Sequence, residues 1–160
     1  MTEVYVAAGS NVAPEHNVRL AVAALAREFP GSRFSPWYRN RAAGFDGDDF
    51  INLVAGFDTT LAPLALLERL QAIEAQCGRA RDAPRWAPRS MDLDVLLYGE
   101  LVCVGPPMTI PRPDLLKRAY MLGPLADLAP DLRHPTAGKT IGELWQAFDQ
   151  AAHPLERMRS

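Results

Sequence analysis

The sequence predicts an α+β fold on two observations: four segments read as β-strands and two long ones as helices, and they run strand, helix, strand, strand, helix, strand. The first strand is expected at residues 3–9, where EVYVAAGS alternates before turning polar at Gly9, Ser10 and Asn11. Residues 14–29 place Val18, Ala21, Val22 and Leu25 at helical spacing, with Pro14 suited to a first turn. SRFSPWYRN at 32–40 and FINLVAGFDT at 50–59 read as strands that pair as a hairpin around a turn-rich loop, AAGFDGDD. At 61–78, LAPLALLERLQAIEAQCG predicts a strong helix, with Pro63 near its start, Leu66, Leu67, Leu70, Ile73 and Cys77 on one face, and Gly78 as its stop. MDLDVLLYG at 91–99 is the fourth strand. This order is the split βαββαβ pattern of a ferredoxin-like core. A short extended piece at 101–104, a Pro-rich loop, a helix at 120–128 and a last helix from Ile141 with Thr140 as N-cap follow. These extra C-terminal helices make the expected architecture a three-layer α/β/α arrangement.

At 160 residues, with 48% hydrophobic and 22% charged residues, the chain is expected to form one domain over 1–160. Its start, MTEVYVAAGSN, has an acid where a leader would be basic, and no apolar run approaches the roughly 20 residues that span a bilayer. The reading is a soluble cytoplasmic protein with no membrane partner. Cys77 and Cys103 lack metal-ligand spacing and are read as reduced, packed thiols. A net charge of −2 argues against a general nucleic-acid binder.

The 15 arginines outnumber two lysines, a compositional habit, but four of them cluster. Arg79, Arg81, Arg85 and Arg89 fall in GRARDAPRWAPR, where Gly78, Pro84 and Pro88 oppose regular structure. An exposed loop bearing arginine forks follows, suited to phosphate or carboxylate. Directly after it, RSMDLDVLLYGE puts Asp92 and Asp94 into an apolar strand. Alternate residues share a strand face, so the two acids point the same way, about 6.5–7 Å apart, while Met91, Leu93, Val95 and Leu97 face a core. Two like charges on one face need a positive partner, and hard carboxylate oxygens suit Mg²⁺ bridging to substrate phosphates. A solvated strand end is the bland alternative.

The chain lacks G-x-x-x-x-G-K-[ST], G-x-G-x-x-G, H-R-D and D-F-G, which excludes a P-loop enzyme, a Rossmann dehydrogenase and a protein kinase. In a nucleotidyltransferase a GS turn shortly precedes the paired carboxylates, but Gly9 and Ser10 lie some eighty residues upstream. A non-catalytic nucleotide-binding ferredoxin-like module is a further alternative, although an RNA-binding version lacks its aromatic strand and basic sheet face.

RWAPRSMDLDVLLYG, with AAGSN, WYRN, DFINLV, IEAQCGRAR and TIPRPDLLKRAYMLGPL, resembles the 6-hydroxymethyl-7,8-dihydropterin pyrophosphokinase family over nearly the whole chain. The resemblance implies a monomeric ferredoxin-like enzyme of folate biosynthesis that moves pyrophosphate from ATP to the hydroxymethyl group of the pterin and releases AMP. It puts two Mg²⁺ ions on Asp92 and Asp94, with Arg79 and Arg89 also in the catalytic set. ATP contacts are implied at Gln71, Arg79, Arg81, Arg89, Val95, Thr109 and Arg118. Pterin contacts are implied at Asn40, Ala43, Phe50, Asn52, Trp86 and Tyr120, with Phe50 and Tyr120 sandwiching the flat ring. Glu74 matches a supporting acid. This chain has Arg112 where relatives commonly carry histidine after IP, and Arg112 is expected on ATP. It also has Asn40, Arg41, Ala42 and Ala43 where threonine and proline are more usual, so a diverged paralogue acting on another pterin-like alcohol stands as an alternative. The Gly- and Pro-marked loops flanking the site are expected to close over it.

Overall fold

The computed structural model describes residues 1–41, 49–78 and 90–158. In chain order these form β1 (Thr2–Ser10), α1 (Pro14–Glu28), β2 (Arg33–Phe34), β3 (Tyr38–Asn40), β4 (Phe50–Thr59), α2 (Pro63–Gln76), β5 (Asp92–Tyr98), a 3₁₀ turn (Pro113–Leu116), α3 (Ala119–Leu128), α4 (Ile141–Ala147) and β6 (Glu156–Arg157). The sheet runs β5-β1-β4-β3-β6 with antiparallel pairing at each step, and β2 also pairs with β4. Counting β2 and β3 as one interrupted strand, this is the ferredoxin-like order, and the architecture is α+β in three layers.

Each layer follows from the pleat. Val4, Val6 and Ala8 of β1 and Ile51, Leu53, Ala55 and Phe57 of β4 pack against Val18, Ala21, Leu25, Leu66, Leu70 and Ile73 of α1 and α2. The alternate residues Tyr5, Ala7 and Val54 pack instead against Leu115, Met121, Leu122, Leu125 and Ile141. β1 and β4 are therefore covered on both faces, which is why they read as nearly continuous apolar runs. Phe29 stacks on Phe57 at 4.0 Å between centroids and closes the end of the α1 layer.

The strand expected at 32–40 is two short ones, for a local reason. The Ser35 N–H donates to Val54 O at 2.8 Å, but its hydroxyl, rather than its carbonyl, accepts the Val54 N–H at 2.9 Å. Pro36, having no N–H, cannot resume the ladder at once. β5 also departs from simple alternation. Its register against β1 slips between Tyr5 and Val6, so that Tyr5 faces Leu97 and Val6 faces Val95. Leu96 is the extra residue of a β-bulge, and Leu96 and Leu97 both enter the α3 side. Leu97 was expected with Leu93 and Val95 on the other face; the bulge corrects this. Of the extended piece at 101–104, only Cys103 pairs, with Ile110. Leu67 is half-buried rather than fully in the core. The tail adds β6 to the β3 edge, and Met158 N–H donates to Trp37 O at 2.8 Å.

Helix boundaries follow sequence chemistry closely. Pro63 sits in the first turn of α2, and Gly78, at φ +88°, ends it, donating its N–H to Ala75 O at 3.0 Å. Thr140 and Glu143 form a reciprocal capping box on α4, at 3.1 and 2.9 Å.

Candidate active site

The antiparallel registers line Asp92, Gly9, Asn52 and Tyr38 into one row across four strands. Directly paired residues share a face, and in this row it is the face toward α3. The neighbouring rows add Asp94 opposite Ala7, and Asn40 opposite Phe50. The α+β topology thus brings the two acids of β5 onto the same surface as Asn40, Phe50 and Asn52, which come from the hairpin far upstream.

Asn52 is only 5% exposed, and its amide donates to Asn40 Oδ1, while the Asn40 amide donates to Arg41 O at 3.2 Å. The fit depends on Gly9. A β-carbon there would meet Asn52 Oδ1 at 2.5 Å, well inside contact distance. On the far side of the hairpin, Tyr38 donates to Asp127 of α3, and burial together with that bond pushes the phenol up to about 12. β3 is thereby fastened to the helix that begins at Ala119 and carries Tyr120.

The carboxylate pair is held from both sides of its strand. Glu74 of α2 accepts the Leu93 N–H at 2.8 Å, between the two acids, and fixes the strand start. On the other side the Arg112 guanidinium lies 3.4 Å from Asp94 Oδ1 and 3.7 Å from Asp114 Oδ2. The side chain of Asp94 is 18% exposed. Burial first, then the Asp92 charge, raises its carboxyl to about 7, against the opposing pull of Arg112. Tyr120 is half-buried, its phenol raised mainly by burial and also by the charges of Asp114, Asp94 and Asp92.

Two neighbouring carboxylates on one sheet face are a donor set that fits a hard divalent cation. Among the described residues no cluster of three or more metal-ligating side chains exists; Mg²⁺ sites commonly use one or two carboxylates and leave other positions to water or phosphate.

The other expected contacts come from separate elements. Gln71 is half-buried on α2, and Arg118 is exposed as the N-cap of α3. Thr109 accepts the Gly105 N–H at 2.9 Å with its hydroxyl, closing the Pro-rich loop. Val95 is 5% exposed and packs into the α1–α2 layer, on the sheet face opposite the carboxylates; its side chain is core. Arg112, expected on ATP, sits against Asp94 and Asp114. Arg79, Arg81, Arg85, Trp86, Arg89 and Ala43 lie outside the described residues. Sequence reasoning missed Gly9, Tyr38 and Asp114. All three lie inside the motifs AAGSN, WYRN and TIPRPDLLKRAYMLGPL, and Gly9 also stands out as a glycine inside an otherwise apolar strand.

Fold and carboxylate pair together define a transferase of phosphoryl groups built on a ferredoxin-like sheet. The family model for 7,8-dihydro-6-hydroxymethylpterin-pyrophosphokinase matches residues 5–130, and the chain belongs to that family. A 2-amino-4-hydroxy-6-hydroxymethyldihydropteridine pyrophosphokinase of Pseudomonas aeruginosa is 48% identical over 149 residues, covering 90% of each chain. The enzyme of the same name from Synechocystis sp. is 40% identical, covering 90% of this chain and 75% of its own. Among solved structures, Plasmodium falciparum HPPK-DHPS aligns with a TM-score of 0.70 at 12% identity, over 91% of this chain. This chain spans 44% of that longer one, and at such identity the likeness speaks for the fold alone.

Proposed function

We propose that the protein transfers the terminal pyrophosphoryl group of ATP to the hydroxymethyl oxygen of 6-hydroxymethyl-7,8-dihydropterin, with AMP as the other product, in folate biosynthesis. The observation that carries the reading is the shared row of Asp92, Gly9 and Asn52, which sets a carboxylate pair beside a buried amide on one sheet face. The hydroxymethyl oxygen gives up its proton to solvent and bonds to the β-phosphorus, the bond from that phosphorus to the α–β bridging oxygen breaks, and AMP departs with its electron pair.

Asn52, steadied by Asn40, offers amide groups to the polar edge of a pterin ring. Phe50 and Tyr120 supply faces for offset stacking, the arrangement flat heterocycles favour. Asp92 and Asp94 would hold two Mg²⁺ ions, which when bound neutralise phosphate charge and lower the pKa of the attacking hydroxyl. Gln71, Thr109, Arg112 and Arg118 face the nucleotide in this reading, with the backbone at Val95 beside the adenine. Arg79, Arg81 and Arg89 join them on the phosphates, and Trp86 and Ala43 join the pterin side, from the family pattern. Catalysis of this kind is chiefly positioning and charge stabilisation.

We expect a monomer, and among the described residues no helix is long and apolar enough to cross a membrane. Both substrates are small metabolites, which fits a cytoplasmic enzyme without nucleic-acid or membrane partners. The test is incubation with ATP, Mg²⁺ and the hydroxymethyl pterin, followed by chromatography of the nucleotides. AMP formed only with the pterin supports the proposal. ADP, pyrophosphate release or no turnover overturns it, and AMP formed only with another pterin alcohol assigns a diverged substrate.

A further inference from the structure

Arg112 is bound in an unusual way for so polar a group. Its backbone is fixed, because its N–H donates to Leu96 O at 3.0 Å beside the β5 bulge and its carbonyl accepts the Leu115 N–H at 3.1 Å. Its guanidinium lies between two carboxylates at 3.4 and 3.7 Å, longer than charge-assisted hydrogen bonds prefer. Its Nε is buried and has no hydrogen-bond partner among the described residues. A donor buried in that way costs free energy, so the pose is an incompletely satisfied one. What keeps it there is charge. Asp94 is nearly buried beside Asp92, and a nearby cation relieves two acids that otherwise repel.

We propose that Arg112 is the resident counter-cation of Asp94 in the metal-free protein, and that it gives way to an incoming divalent ion while its charge passes to the nucleotide phosphates. The inference rests on the metal and phosphate reading above. It makes the guanidinium a competitor of the metal when nucleotide is absent and a partner of it when nucleotide is present, because only then does the displaced fork gain new acceptors. Metal and nucleotide are thereby coupled through one side chain, each favouring the arrangement that the other needs. Asp114 is the pivot, since it pairs with the guanidinium without belonging to the carboxylate pair.

The experiment is titration with Mn²⁺, followed by the loss of its free-ion EPR signal, without nucleotide and with α,β-methylene ATP. Four proteins are compared: wild type, Arg112→Ala, Arg112→Met, which keeps an apolar stem if alanine compromises folding, and Asp94→Asn. Removing the guanidinium is expected to tighten Mn²⁺ binding about tenfold without nucleotide when titrated at about pH 8.5, where protons compete little with the metal, the low end of what one adjacent opposite charge does to a carboxylate. The strengthening of Mn²⁺ binding by the analogue should shrink in the same variants. Asp94→Asn is the control on the site itself and should abolish tight Mn²⁺ binding. If it does so while Arg112→Met binds nucleotide-free Mn²⁺ no more tightly than wild type, the counter-cation role is overturned and the site stands. If Asp94→Asn leaves Mn²⁺ binding intact, the metal reading falls, and the inference with it.

Discussion

Gly9 and Asn52 face each other across β1 and β4 so closely that a β-carbon on Gly9 would lie 2.5 Å from Asn52 Oδ1. Gly9→Ala is therefore expected to push the Asn52 amide off Asn40 and out of its position. The cost should fall on the pterin, by roughly 1–3 kcal/mol of binding, as for a buried polar group losing a partner. Calorimetry with the pterin and with α,β-methylene ATP separates this from general damage: the pterin constant should weaken and the analogue constant hold. Asn52→Ala should weaken the pterin similarly, and the double variant should be no worse than either single one, because both remove one interaction.

Much of this arrangement was legible in the sequence. The helix limits were readable because Pro14, Pro63 and Gly78 act locally, and the Thr140 cap because its hydroxyl meets its own helix. The acids of β5 were placed on one face by period two alone. The bulge at Leu96 was not readable, since it is set by how β5 meets β1 and nothing in DVLLYG marks an extra residue. The break at Ser35 was equally hidden, because it depends on a hydroxyl taking the Val54 N–H. In the site, the pairing of Asn52 with Asn40 and of Arg112 with Asp94 joins residues distant in sequence, so residue type announced their chemistry but not their partners.

The raised carboxyl of Asp94 makes a statement about the metal-free protein. Its folded pKa of about 7 lies above the ordinary carboxylate value of 3.8, so the folded state holds a proton that the unfolded chain has released. The associated stability is fully present below the lower value and is lost as pH rises through about 7, at no more than about 1.4 kcal/mol per pH unit. Asp94→Asn cannot lose a proton. In EDTA its melting temperature relative to wild type should rise between pH 5 and pH 8, and a flat difference would sink the assignment. In Mg²⁺ with nucleotide the same variant, like Asp92→Asn, should turn over orders of magnitude more slowly.

Glu74 braces the carboxylate strand by accepting the Leu93 N–H, one residue from each acid. Glu74→Gln keeps an acceptor oxygen and should retain most of the activity, whereas Glu74→Ala leaves that N–H without its partner and should cost about 1–3 kcal/mol of stability. A positioning role predicts more than instability. In Glu74→Ala the Mg²⁺ concentration giving half-maximal rate should rise, with the pterin KM nearly constant. A variant that only melts earlier, with an unchanged Mg²⁺ requirement, would leave Glu74 a purely structural residue.

Far from the carboxylates, His134 holds the turn between α3 and α4 by accepting two backbone N–H groups at Nδ1, from Thr136 at 3.2 Å and Ala137 at 3.1 Å. It is 4% exposed, and burial lowers its pKa below 6.5. An Nδ1 that accepts must carry no proton, so the neutral ring is the structural form. Because the folded pKa is depressed, the stability it contributes is fully present above pH 6.5 and is lost as pH falls through the lower folded value. His134→Asn retains an acceptor but no titration, and should be less stable than wild type at pH 8 by about 1–3 kcal/mol, the range for a large-to-small change at a buried polar position. Chemical denaturation of the two proteins in the absence of Mg²⁺ should show that gap narrowing as pH falls from 7 to 5. A gap that stays constant over this range would mean that the imidazole holds the turn by shape rather than by its unprotonated nitrogen.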